Sequence, residues 1–323
     1  MLLLLFLVAV ALSVIWIRNL FAATMLMGIF SLLAATLYVL LDAVDVALTE
    51  AAVGAGLPII LMLSALALTT SHEKSHNPRH NHLALTVVLV TGGALIYGTT
   101  DMPSFADPQA PAHQHVAPRY IEDSPTEIGI PNMVTSVLAS YRGLDTLGEV
   151  LVIFAAGLGV LLTLGAGVYQ PRNRALRRGP RVKPNVVLRV GGSLLIPLIL
   201  LFALYVQFHG EFSPGGGFQA GIIFAAAFVL FALVYGLDSL QRAIPPPLVH
   251  RLAASGALLF LGVGVWAMLS GGNFLEYKAL SAHPQTGELL GIILIELGVG
   301  ITVASVVVSL FYSFAGQARR PGN

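Results

Sequence analysis

Apolar runs of about twenty residues, each closed by a short polar stretch, recur from one end of the chain to the other. Nine can be drawn: Leu2 to Ile17, Leu20 to Leu41, Ala47 to Thr70, Leu83 to Thr100, Leu144 to Tyr169, Leu188 to Phe208, Phe218 to Leu237, Leu252 to Ser270 and Gly287 to Phe314. Inside hydrocarbon every backbone amide and carbonyl must find its partner within the protein, and a run of this length does so as a helix. The pattern predicts an all-α polytopic membrane protein of about nine spans. The first and fourth runs are the shortest. Pro197 is expected to kink the sixth. No internal repeat is visible, so the inverted symmetry of many secondary transporters is not expected.

Composition agrees with this reading. Hydrophobic residues make up 56% of the chain and charged residues only 10%, with a mean hydropathy of +0.83. A soluble domain carries about twice that charge. Cysteine is absent, which excludes disulfides, thiolate metal sites, iron–sulfur ligation and thiol catalysis. The first run has no basic n-region before it and no small-residue cleavage site, and another run follows at once, so it reads as a span rather than a cleaved signal.

The basic residues orient the spans, because cytoplasmic loops collect Lys and Arg. Of seventeen, all but Arg119, Arg142 and Lys278 fall on one side of the nine-span topology. The expected N-terminus is therefore outside and the C-terminus cytoplasmic. The loops also divide the chain. A three-helix module (1–80) ends in the polar, histidine-rich linker Ser71 to His82. A two-helix module (81–178) carries a long external segment, Asp101 to Arg142, expected to be irregular apart from a short amphipathic helix at Asn132 to Tyr141. A four-helix domain (179–323) follows the basic linker Pro171 to Pro184.

The candidate chemistry lies in carboxylates within or beside the spans. Asp42, Asp45 and Glu50 precede the third run's glycines, Gly54 and Gly56, with no base among them. If Asp42 or Asp45 caps that helix, Glu50 sits about one turn inside. There it either answers the helix dipole or relays a proton or cation. Asp145 and Glu149 repeat the arrangement at i and i+4 on the fifth run, again as a dipole pair or a relay. Glu296 stands roughly 13 Å past Gly287 at 1.5 Å per residue. At that mid-bilayer depth a charge costs about 2.5–3.5 kcal/mol. It is therefore either protonated and hydrogen-bonded, or turned toward a polar path or a partner. Glu288 is expected at the interface.

Between the sixth and seventh runs, Pro214, Gly215, Gly216 and Gly217 form a glycine-rich turn flanked by His209 and Glu211. Phosphate cradling needs a strand-to-helix context and usually a Lys, and both are missing. The expectation is a tight backbone, re-entrant or not, that packs closely or exposes its amides at the membrane face. His209 and Glu211 either titrate or form a solvated loop pair. His72, His76, His80 and His82 read as a polar linker rather than a metal site. No zinc signature or hydrolase triad order is present, so no catalytic residue, bound metal or nucleic-acid partner is expected.

Three motifs resemble known membrane modules. DAVDVALTEAAVGAG, from Asp42, resembles the small hydrophobic module at the C-terminal end of the large Mrp antiporter subunit, which is a separate subunit in membrane-bound hydrogenases. NMVTSVLASYRGLDTLGEVLVIFAAGLG, Asn132 to Gly159, resembles the neighbouring two-helix module. FHGEFSPGGGFQAGIIFAAAFVLFALVYG, Phe208 to Gly236, is similar to the MnhB-type four-helix subunit. The whole resembles a fused MnhB-type subunit of an Mrp-type multisubunit Na+/H+ antiporter. Val44, where the first module often has proline, and the fusion itself are departures.

The resemblance implies a complex-I-like assembly in the cytoplasmic membrane of a prokaryote. The chain would lie in the bilayer beside large proton-pumping subunits and other small subunits, passing Na+ and H+ without a bound cofactor. Glu50 and Glu149 match acids of the family motifs, whereas Glu296 rests on its burial alone. The same modules imply, as alternatives, the membrane arm of an ion-translocating hydrogenase or related redox complex, or a purely structural assembly subunit.

Overall fold

The computed structural model describes residues 1–66, 69, 71–73, 78–164 and 186–317. The basic linker Pro171 to Pro184, His76 and the side chain of His80 lie outside the described residues. Among those described the chain is helical without strands, apart from one isolated bridge between Asn19 and His72. Among the described residues eight helices, from Leu20–Leu40 onward, are long and apolar enough to cross a bilayer. The first, α1 (Leu2–Trp16), is shorter, at 15 residues.

In the N-terminal region α2 (Leu20–Leu40) is capped by the Asn19 side chain, and α3 (Val44–Leu66) returns beside it. The turn between them uses a left-handed Asp42, φ 61°. α3 is not regular: residues Ala51–Gly56 widen into a π-helical stretch just after Glu50. Next comes α4 (Pro78–Thr99), whose described side chains are almost all exposed.

The external segment is more ordered than its prolines suggest. It folds as successive helical turns, at Ala112–Val116, Arg119–Asp123 and Ser124–Glu127, then at Met133–Thr135 continuing into Ser136–Tyr141. Proline is tolerated at a helix's first positions, where its missing N–H has no partner to lose. Pro125 occupies such a position.

The remaining helices are α5 (Gly143–Leu164), α6 (Val186–His209), α7 (Gly217–Tyr235), the short α8 (Leu237–Ala243), α9 (Pro246–Leu269) and α10 (Pro284–Gln317). α6 runs as one helix through Pro197. α10 is the shared mast: α3, α5, α6, α7 and α9 all pack on it. Small residues permit the close approach. Gly256 of α9 lies against Gly298 and Thr302, Gly157 of α5 against Val306, and Gly221 of α7 against Gly300 and Val303. At 34 residues α10 is about 51 Å long, well beyond the hydrocarbon thickness of about 30 Å.

Candidate functional site: a polar junction at the glycine turn

The turn between α6 and α7 folds back onto the body of the protein. Gly216 N donates to the carbonyl of Val206 over 3.1 Å, and Gly216 adopts φ 127°, which only glycine reaches without strain. Gly217, the first residue of α7, is pressed so closely on α10 that a Cβ there would overlap the backbone carbonyl of Glu296. The glycines therefore bring two backbones together at the position of a carboxylate.

Side chains from all three regions converge there. Asp45, in the first turn of α3, accepts from Gly215 N at 3.0 Å through Oδ1 and from Asn132 Nδ2 at 3.4 Å through Oδ2. Asn132 also donates to the carbonyls of Gly210 (2.9 Å) and Ser213 (3.1 Å), and its backbone N–H donates to the Glu211 carbonyl at 2.9 Å. Its own Oδ1 caps the next helical turn at Val134 N. Thr135 Oγ1 adds a 2.6 Å bond to the Gly210 carbonyl. Gln219 of α7 donates to Thr49 Oγ1 of α3 at 2.8 Å, and Thr49 in turn bonds back to the Asp45 carbonyl.

Glu296 faces this cluster from α10. Its Oε1 and that of Gln219 lie 3.2 and 3.5 Å from the point where Gly216 would carry a Cβ. The charges of Glu211 and Asp45 act on the Glu296 carboxyl. Among the described residues, neither Glu296 nor Glu211 makes a side-chain hydrogen bond. Glu296 is enclosed by protein yet keeps a partial opening to the chain's surface. Glu211 is only 8% exposed, and burial pushes its carboxyl up from the ordinary value.

The structure revises several expectations. The cap of α3 is Ala43, with no side-chain bond, because Asp42 is turned out to solvent and Asp45 is engaged across the junction. Glu296, about three turns into α10, lies level with the start of α7. Glu211 is buried rather than part of a solvated pair, while His209 is exposed and stacked on Tyr205 with ring centroids 4.2 Å apart. Glu288 is not interfacial. It is 3% exposed, accepts from Ser140 Oγ at 2.9 Å and lies near Tyr277.

The two other acids stand apart. Glu50 curls over Gly54, where its carboxylate and the Ser31 hydroxyl of α2 fill the space a Cβ would take. Gly56 ends the π-helical stretch. Asp145 and Glu149 are exposed on α5, and Asp145 has a base after all: Arg142 Nε donates to it at 2.6 Å. Reading carboxylates alone missed Asn132, Thr49, Gln219 and Gln207 as members or neighbours of the site. The signal was present, since a Gln inside an apolar run on either side of a glycine turn needs a partner as much as an acid does.

The geometry fits known membrane modules. The family described as a domain related to the MnhB subunit of the Na+/H+ antiporter matches residues 187–309. Two further families, MbhD and MbhE, each described as a subunit of MBH, match residues 5–71 and 79–178. A Staphylococcus haemolyticus protein named for antiporter subunit mnhB2 is 33% identical over 135 residues, covering 41% of this chain and 95% of its own length. This chain belongs to the MnhB family of antiporter subunits. An uncharacterized protein of Methanocaldococcus jannaschii is 32% identical over 210 residues, covering 59% of the MnhB-family chain and 80% of its own.

Among solved structures, a chain of the Mrp complex from Dietzia sp. DQ12-45-1b matches all of the MnhB-family chain at 26% identity and a TM-score of 0.76. The present chain spans 35% of that longer one. A chain of the membrane-bound sulfane sulfur reductase, an archaeal respiratory membrane complex, matches 72% of the present chain and 97% of its own at 31% identity, with a TM-score of 0.56. The MnhB-family chain is thus a multi-pass protein of the prokaryotic cell membrane.

Proposed function

We propose that this chain is one membrane subunit of a multisubunit cation/proton antiporter, working beside larger complex-I-like subunits, with Na+ and H+ as the transported ions. The observation that carries the reading is the junction, where Asp45, Glu211 and Glu296 come from separate regions to the polar cluster at the glycine turn. Like-charged carboxyls gathered within a protein favour the binding of a proton or a counter-cation among them. A proton and a cation therefore compete for the same oxygens, so loading either favours release of the other. Such competition is the elementary requirement of antiport.

Glu50 and Asp42 extend the polar surface along α3, and Asp145 and Glu149 are offered on α5 to a neighbouring subunit. The basic residues favour an external N-terminus and a cytoplasmic C-terminus, which sets the junction on the outer face.

A second reading, the membrane arm of a redox-driven ion pump, is favoured by the sulfane sulfur reductase match and the two MBH modules. The test is the assembled complex in sealed vesicles with an imposed pH gradient. Na+ that collapses the gradient with no electron donor present supports the antiporter. Collapse that requires an electron donor assigns the chain to the redox assembly, and no response to Na+ under either condition contradicts ion exchange.

A further inference from the structure

A crevice of about 370 Å³, with no lining residue from α3, opens between α6, α7, α9 and α10. Its walls include Leu204, Phe228, Leu248, Leu252, Ile301 and Ala304. Along α10 it runs from Leu297 to Val308, a rise of about 16 Å, close to the roughly 15 Å of hydrocarbon in one leaflet. The volume over that length gives a mean section of about 23 Å². That suits a single hydrocarbon chain and falls far short of a helix, which with side chains is about 10 Å across.

The two ends differ. At the glycine-turn end Gln207 closes the crevice with its side-chain oxygen turned onto Gly300. Further along, Ser305 lines it at 7% exposure, its hydroxyl making no hydrogen bond among the described residues. The elements that line the opposite end carry two exposed arginines. Arg251 lies one turn from Leu248 and next to Leu252, and Arg242 precedes Ile244, another lining residue. Arg242 donates to the Asp238 carbonyl at 3.1 Å and to Ser239 Oγ at 3.3 Å.

We propose that the crevice holds one acyl chain of an anionic phospholipid whose phosphate is bound by Arg242 and Arg251. The chain leaves one apolar environment for another, so its burial adds no preference between lipids. Selectivity resides in the headgroup, because basic residues near the membrane surface attract anionic lipids. Two of them correspond to a preference of at least about tenfold for an anionic over a zwitterionic lipid. Ser305 is placed to donate to an ester carbonyl once the chain is seated.

The test is native mass spectrometry of the purified assembled complex, titrated with phosphatidylglycerol or with phosphatidylcholine of the same acyl chains. The expected result is one retained phosphatidylglycerol per copy of this chain, at about one tenth of the concentration that phosphatidylcholine needs. Changing Arg242→Gln and Arg251→Gln together should erase that difference, and both residues are at the surface, where folding is tolerant. Ala304→Phe should fill the crevice and remove the bound lipid of either class. Equal retention of the two lipids, or an unchanged preference in the double arginine variant, would overturn the proposal. So would an Ala304→Phe complex that still carries its lipid.

Discussion

Two acid pairs in this chain look alike in sequence and have opposite fates. Asp45 and Glu50 open α3, Asp145 and Glu149 open α5, and each pair precedes an apolar, glycine-spaced run. Asp45 ends in the glycine-turn junction, bonded to Gly215 and Asn132 within reach of Glu296, and Glu50 folds over Gly54 toward Ser31. Asp145 remains exposed beside Arg142, and Glu149 is exposed one turn further on. The difference lies in what arrives from elsewhere. Asp45 meets a turn whose glycines leave backbone amides uncovered, while the acids of α5 point away from the mast that buries Leu147 and Val150. A carboxylate's position in its own helix says little about its role until the opposing backbone is known.

The most severe way to break this contrast is to push the turn off α10. Gly217→Val places a branched side chain into the Glu296 carbonyl and should cost more than the about 1–3 kcal/mol of ordinary overpacking. A marked fall in the unfolding temperature of the purified protein in detergent checks it. Asp45→Ala should be next, leaving Gly215 N without its carboxylate acceptor and Asn132 with one fewer. The expected loss is about 1–3 kcal/mol, seen as a lower unfolding temperature or weaker subunit retention.

Glu211 sharpens the comparison through pH. Burial raises its carboxyl, so the ionised form is the one the fold disfavours. The contribution of Glu211 to folded stability is then greatest below the usual carboxylate range and declines as pH rises from there through the raised value. Glu211→Gln should flatten that decline in a series of melting curves. The smallest effect belongs to the other region. Arg142→Gln removes a fully exposed ion pair, and its stability change should be indistinguishable from that of a neutral surface substitution.

Much of this was legible from residues alone. Alternation of apolar runs and polar joints predicted the long helices, though α4 and α9 begin five and six residues before their apolar runs, because in a bilayer length and hydropathy leave the backbone little choice. The glycine turn also announced itself as tight backbone. The junction was less legible, because Asn132 lies 87 residues from Asp45, and Gly215 lies 170 from it. Patterning within one segment carries no information about such a meeting. The neighbours of Glu296 were hidden for a related reason: apolar sequence along α10 does not mark which residues of other segments pack on it, such as Tyr277 against Gly287 and Gly291.

The central claim is that the junction handles ions, while the acids of α5 serve a neighbouring subunit. Glu296→Gln in the assembled complex, assayed for Na+-driven proton movement in sealed vesicles, tests it most directly. Exchange should fall by at least about tenfold, a barrier change of about 1.4 kcal/mol or more, with the complex still intact. An intact Glu296→Gln complex that exchanges Na+ for H+ at the unaltered rate would contradict the account.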